Sequence, residues 1–227
     1  MSAALTGTIK YDRQTDLLRP DVAYEAHATI FGCGTVGSNA AVELAKLGVG
    51  NFDLYDFDIV EPHNIPSQRF NIGDLGSNKA EATAAQLMLL MNDPDGRVRY
   101  HDTKVEGPMM PRGICILAVD SMESRELIYT KCLKFNMAVP LVMDFRMSGN
   151  LLQCFAFQPG DDRYESTLFS DEDAEPAPCG GRTVSYTGAL AGCIAANYAR
   201  KHLSGGSVPF TTSIDLEGMG MLVSSED

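Results

Sequence analysis

Gly32-Cys33-Gly34-Thr35-Val36-Gly37 has the spacing G-x-G-x-x-G. Between a strand and a helix, such glycines permit a tight turn and let backbone amides approach a phosphate. The helix N-terminus adds donors and the positive end of its dipole. The flanking residues meet that requirement. Residues 27–34 (HATIFGCG) read as a buried strand ending in glycine. Residues 36–47 carry Val36, Ala40, Leu44 and Leu47 at helical spacing before Gly48 and Gly50 stop them. Asp56 lies nineteen residues after Gly37, at the end of the next strand candidate, where a carboxylate can accept ribose hydroxyls. Gly32, Gly34, Gly37 and Asp56 together favour nucleotide binding over a purely structural glycine turn. They do not choose between NAD, FAD and ATP.

The elements that must position these residues alternate along the chain. Strands are predicted over 52–57, 97–103, 114–119 and 139–145, and helices over 78–91 and 122–136, with a proline-bearing loop over 61–71. The apolar run 114–119 (ICILAV) suits a central parallel strand. The expected fold is α/β: a Rossmann-like, doubly wound, mostly parallel sheet with helices on both faces and an antiparallel C-terminal portion. Past Gly149 the pattern changes. A strand over 151–157 precedes the stretch 161–178, which has seven acids against one Arg and two prolines. It reads either as a solvated, mobile loop or as a segment crossing over the active site. A small-residue-rich helix over 183–203 and a final strand over 208–213 complete the chain. Residues 1–26 are expected to form an N-terminal arm and 27–227 a single domain, with a mobile crossover loop over 160–180.

Composition narrows the function classes. At 227 residues the chain holds one large domain. Its 44% hydrophobic and 21% charged residues are ordinary for a globular protein. A net charge of -12 repels phosphate backbones and argues against general nucleic-acid binding. No apolar run approaches a membrane span, and the N-terminus lacks the apolar core of a signal peptide, so a cytoplasmic protein is expected. The six cysteines are scattered without a C-x-x-C pair. Neither a disulfide framework nor a zinc site is expected, and most of the thiols should be small core residues.

Further motifs follow in order: Asp56-x-Asp58-x-Val60, Asn64-Ile65-Pro66-Ser67-Gln68-Arg69, then Gly76-Ser77-Asn78-Lys79. Ala118-Val119-Asp120-Ser121 comes next, with Arg125 beyond it, and Tyr11-Asp12-Arg13-Gln14 lies upstream. Over residues 11 to about 200 this series resembles the adenylating domain shared by ubiquitin-activating enzymes and the bacterial ThiF/MoeB proteins. The resemblance implies ATP-dependent adenylation of the C-terminal carboxylate of a ubiquitin-like or sulfur-carrier protein ending in Gly-Gly, giving acyl-adenylate and pyrophosphate. A carboxylate attacking an α-phosphate meets charge repulsion, so the reaction needs cations and alignment rather than a base. The matching cations are Lys79, Arg13 and Arg69. Asp120 would hold Mg²⁺, which is usually bound by one or two carboxylates plus phosphate oxygens. Gly32, Gly34, Gly37, Asp56, Asp58, Asn64, Gln68, Arg69, Lys79 and Ser121 would line the nucleotide. The family also implies a homodimer in which Arg13 of one subunit reaches the phosphates bound by the other.

Each residue taken alone has a plainer reading. Lys79 could be a solvated surface lysine, Asp120 an N-cap, Asn64 a turn residue and Arg13 part of a frayed terminus. Their joint order carries the inference. The sequence also departs from the family pattern N-x-x-R-Q, because Ser67 stands where the arginine belongs. Either Arg69 takes that place or the contact is lost. Cys179, in Pro-Ala-Pro-Cys-Gly-Gly-Arg, occupies the point at which relatives carry a cysteine on the crossing loop. A thiol near a helix N-terminus and Arg182 would have its thiolate favoured, so it is either a nucleophile or a structural thiol. Three other functions compete: adenylation of a short peptide as in peptide-antibiotic maturation, a non-catalytic nucleotide-binding scaffold, and an NAD-dependent oxidoreductase. Joint retention of Lys79, Asp120 and Arg13 disfavours the scaffold, and the 64–79 block disfavours the oxidoreductase.

Overall fold

The computed structural model describes residues 11–92, 96–169 and 184–224. α1 (Pro20–Glu25) opens on proline, whose fixed φ suits a first helical turn. β1 (His27–Phe31) leads through the glycine turn into α2 (Thr35–Leu47), which ends at Gly48 with φ at 106°. After β2 (Asn51–Tyr55) come two short 3₁₀ turns, Pro62–Asn64 and Ile72–Asp74. The Asn78 side chain then caps α3 (Lys79–Met91) by accepting from the Glu81 amide at 3.1 Å. β3 (Val98–His101), β4 (Ile114–Leu117), α4 (Met122–Ile128), β5 (Leu141–Ser148) and β6 (Leu151–Phe157) follow. The last elements are α5 (Asp162–Glu165), α6 (Ser185–Leu203), β7 (Thr211–Asp215) and β8 (Gly220–Val223).

Among the described residues, eight strands form one sheet in the order β3-β2-β1-β4-β5-β6-β7-β8. The pairings from β3 through β5 are parallel, and those from β5 through β8 are antiparallel. This is the expected α/β architecture. α2, α3 and α6 cover one face, packing Leu44, Leu87 and Ile194 with Ile30, Leu54 and Ile116. α4 and the turn after it cover the other, packing Ile128, Tyr129 and Leu133 with Phe31, Leu117 and Val142. β1 lies between β2 and β4, so the chain order reverses across the β1–β4 pair. In open sheets of this kind, ligands bind beyond the strand C-termini at that switch point.

α2 and α6 touch at backbone distance. A Cβ added to Gly188 would stand 2.5 Å from Thr35 Cγ2 and 2.9 Å from Thr35 O, and one on Gly192 would stand 2.8 Å from Asn39 O. Contacts that advance by four residues on both helices mean that the two run parallel, in register, with their N-termini side by side.

Several elements differ from expectation. The helix predicted over 122–136 is α4 followed by a π turn, Tyr129–Leu133. It stops there because Asn136 turns inward, donating to Pro111 O at 2.7 Å. Within 161–169, Tyr164 is fully buried. Residues 170–183, with Cys179 and Arg182, lie outside the described residues. The predicted final strand starts later, at Thr211, and β8 follows it. The arm is not free over 11–18: Gln14 Nε2 donates to Leu47 O at 2.8 Å and Leu18 is buried. Cys33, Cys115, Cys132 and Cys154 are core residues, whereas Cys193 is exposed. Among the described residues no helix is long and apolar enough to cross a membrane.

Candidate functional site

The glycine turn owes its shape to two close approaches. Gly32 has φ at 88°, and a Cβ there would lie 2.6 Å from Ala118 O, against the strand end that leads to Asp120. A Cβ on Gly37 would lie 1.8 Å from Gly32 O, so any other residue would open the turn. At Gly34 the nearest atom to such a Cβ would be Gln68 Nε2, at 4.0 Å. The middle glycine thus borders open space, where a phosphate can approach the backbone. Among the described residues no side chain caps α2, and its first amides face an anion site at the glycine turn. Gln68 Oε1 is buried without a hydrogen-bond partner among the described residues. An orphaned acceptor beside an open glycine turn fits a ligand that brings its own donors.

Asp56 braces this turn. One carboxylate oxygen accepts from the Cys33 amide at 2.6 Å and the other from the Asp58 amide at 2.9 Å. Burial pushes its carboxyl up from the ordinary value, while these amides and the Lys79 charge oppose the rise. Asp56 is therefore chiefly a holder of the loop. Asp58, half exposed, is the more accessible carboxylate, and its Oδ2 pairs with Lys79 Nζ at 2.8 Å. Lys79 is only 8% exposed and stands at the first position of α3, where the helix dipole disfavours a cation. The reading of Lys79 as a solvated surface lysine is thereby overturned. Asn78 binds this group together, donating to Asp56 O, Asp58 O and Asp102 Oδ1 at 2.9, 3.1 and 2.9 Å. Sequence reasoning missed that role, although a helix-start asparagine signals a cap.

Asn64 is buried and accepts from the Glu61 amide at 2.9 Å, which shapes the turn leading to Gln68. Arg69 lies along the flank of α2, with Nε donating to Asn39 Oδ1 at 2.7 Å and Nη2 3.4 Å from Glu43. It points down the helix, away from the glycine turn, and Ser67 is buried. Asp120 is exposed two residues beyond Ala118, and the N-cap of α4 is Ser121, which accepts from the Ser124 amide at 3.2 Å. Asp120 is thus not the cap. Cys33, inside the turn, is fully buried, and burial pushes its thiol far above the ordinary range, so it is no nucleophile.

Arg13 stands apart. It lines a cavity of about 490 Å³ with Tyr11, Gln14, Lys46 and Leu90, at the C-terminal end of α2. The 13 residues of α2, at about 1.5 Å each, put it roughly 20 Å from the glycine turn of its own chain. The structure therefore brings Gly32, Gly34, Gly37, Asp56, Asp58, Asn64, Gln68, Lys79, Asp120 and Ser121 to the C-terminal ends of β1, β2 and β4. It leaves Arg13 elsewhere and Arg69 turned aside.

Residues 11–221 match the ThiF family. Over 155 residues the chain is 28% identical to ubiquitin-like modifier-activating enzyme 5 of Drosophila willistoni, covering 58% of this chain and 38% of that protein. Over 117 residues it is 32% identical to the ATP-dependent ubiquitin transferase-like protein Cap2 of Pseudomonas aeruginosa, covering 50% and 21%. Its fold is similar to that of Escherichia coli MccB crystallised with AMPCPP and MccA, with a TM-score of 0.74, 18% identity, and coverage of 99% of this chain and 73% of that one. PaaA gives a TM-score of 0.70 at 16% identity, with coverage of 99% and 86%. The chain spans well under half the length of either curated relative. With a match that runs through both the glycine turn and the antiparallel C-terminal strands, this chain belongs to the ThiF family.

Proposed function

We propose that this protein is an adenylyltransferase, joining the C-terminal carboxylate of a ubiquitin-like or sulfur-carrier protein to the AMP moiety of ATP and releasing pyrophosphate. The observation that carries the reading is Lys79. A lysine buried at a helix start, paired with a half-exposed aspartate, gains from a polyanion at the adjacent glycine turn. In the reaction a carboxylate oxygen attacks the α-phosphorus and the bond to the β-phosphate oxygen breaks. No proton moves, so the scarcity of histidine costs nothing. The α2 N-terminus and Lys79 would offset the charge that develops on the departing pyrophosphate. Asp120 would hold Mg²⁺, which would shield the triphosphate.

Because Arg69 is engaged by Asn39 and Glu43, the second phosphate cation in this reading is Arg13 of the partner subunit in a homodimer. Its own chain keeps it about a helix length from the turn. The Cys179 thiolate would accept the acyl group from the adenylate as a thioester, breaking the acyl–phosphate bond and releasing AMP. A short peptide is the second substrate reading, and the likeness in fold to MccB, whose crystal structures include MccA, favours testing it. Two measurements test the proposal. Mg·ATP should raise Tm whereas NAD should not. Hydroxylamine should trap the activated carboxylate of an added protein ending in Gly-Gly, or of a peptide, as the hydroxamate. Stabilisation by NAD alone, with no trapped product from either class, would refute it.

A further inference from the structure

Asp144 on β5 is fully buried and is paired in register with Leu117, the last residue of β4. Arg125 Nη1 bonds its Oδ1, while Arg146 Nε and the Tyr164 hydroxyl donate to Oδ2 at 2.9 and 3.0 Å. Both guanidiniums then reach onward. Arg125 Nη2 donates to the carbonyl of Val119, the residue before Asp120. Arg146 Nη1 and Nη2 donate to Thr167 O at 2.7 Å and Thr167 Oγ1 at 2.9 Å, and the same group lies 4.5 Å over the Phe155 ring. One carboxylate therefore grips two backbone stretches: the 119–121 loop, and the 164–167 segment that lies against β5.

Stability alone is a weak reason for such a set, because apolar side chains of similar volume often hold a core as well as a buried ion cluster does. Apolar side chains cannot fix the carbonyl of Val119. A planar fork with several donors can, since it orients a backbone oxygen and a carboxylate at once. Resting on the reading of Asp120 as the Mg²⁺ ligand, the geometry points to Asp144 as a positioning residue for the adenylation site. Through Arg125 it sets the loop that carries Asp120, so Mg·ATP affinity depends on a carboxylate that touches neither nucleotide nor metal. Through Arg146 and Tyr164 it holds the 164–167 segment as a separate arm.

The two arms separate experimentally. Calorimetry on the full chain compares AMPCPP with Mg²⁺ and AMPCPP in EDTA, and hydrogen exchange follows 119–121 and 164–167. Arg125→Met and Arg146→Met each leave one cation on Asp144, so they stay informative even if Asp144→Asn fails to fold. Arg125→Met should weaken binding of Mg·AMPCPP about 10–100-fold, the usual cost of losing a group that orients a metal ligand, and leave metal-free affinity unchanged. Arg125→Lys, which supplies charge without the fork, should not restore it. Arg146→Met should speed exchange at 164–167 while keeping metal-dependent affinity near wild type. Full metal-dependent affinity in Arg125→Met, full rescue by lysine, or equal losses in both variants that track Tm would each overturn the positioning role and leave adenylation standing. A wild-type protein that binds neither form of AMPCPP would overturn both readings.

Discussion

Replacing Gly188 by alanine sets two opposed effects against each other at the joint between α6 and the nucleotide loop. Alanine inside a helix is worth about 0.5–1 kcal/mol over glycine, so on an open helix face the change would stabilise. Here the new methyl would stand 2.5 Å from Thr35 Cγ2, 2.9 Å from Thr35 O and 3.0 Å from Asn39 Nδ2. The threonine methyl can rotate away, but the carbonyl belongs to the first turn of α2 and cannot. Overpacking of this kind costs about 1–3 kcal/mol. The net expectation is a loss of roughly 1 kcal/mol, or a Tm about 2–4 °C lower for a chain of this size. Because relief must come from a shift of the whole first turn of α2 beside the glycine turn, Mg·ATP affinity should fall as well. Thermal unfolding and calorimetry on the purified variant decide the matter. A Gly188→Ala protein that is more stable than wild type and binds nucleotide normally would refute the backbone-contact packing of α2 on α6.

Three more expectations are open to test. Burial alone would raise the Asp53 carboxyl, but hydrogen bonds from His27, Arg99 and His101 and the charge of Arg99 outweigh it and hold the group well below the usual carboxylate range. The stabilisation this gives is therefore present above about pH 4 and is lost as pH falls further, so Asp53→Asn should lower Tm clearly at pH 7 and progressively less towards pH 3, as pH-dependent unfolding would record. If Arg13 acts across a dimer, mixing Arg13→Ala with Asp120→Ala subunits should partly restore activity, because one hybrid site carries neither defect; a mixture no better than its parents despite proven subunit exchange would exclude trans action. Cys179→Ala should keep adenylate formation yet lose any reductant-sensitive adduct with the carrier, and a wild-type protein that forms no such adduct would assign Cys179 a structural role.

The parts of the fold written locally were legible from the residues. The glycine spacing, the apolar run at β4 and the helical period of α2 each follow from side chains that meet near neighbours. What escaped depends on distant contacts. The polarity of 161–178 leaves both a solvated loop and a crossing segment open, and gives no sign that Tyr164 reaches Asp144 on β5. Lys79 looks like any surface lysine until Asp58, twenty-one residues earlier, is folded over it. Arg69 was a candidate for the missing family arginine, yet Asn39 and Glu43 on α2 draw it aside. Gly188 and Gly192 read as small-residue helix positions, and only the packed structure supplies the reason, since a neighbouring backbone occupies the volume a side chain would need.

The most direct test is ATP–pyrophosphate exchange by the wild-type protein with a carrier ending in Gly-Gly, run beside Lys79→Met. Expected is carrier-dependent exchange in the wild type that falls about 10²–10³-fold in the variant, the usual cost of removing one strong electrostatic contact from a transition state. Exchange that proceeds equally well without Lys79 would contradict the site, and its absence with every protein or peptide carboxylate offered would contradict adenylation itself.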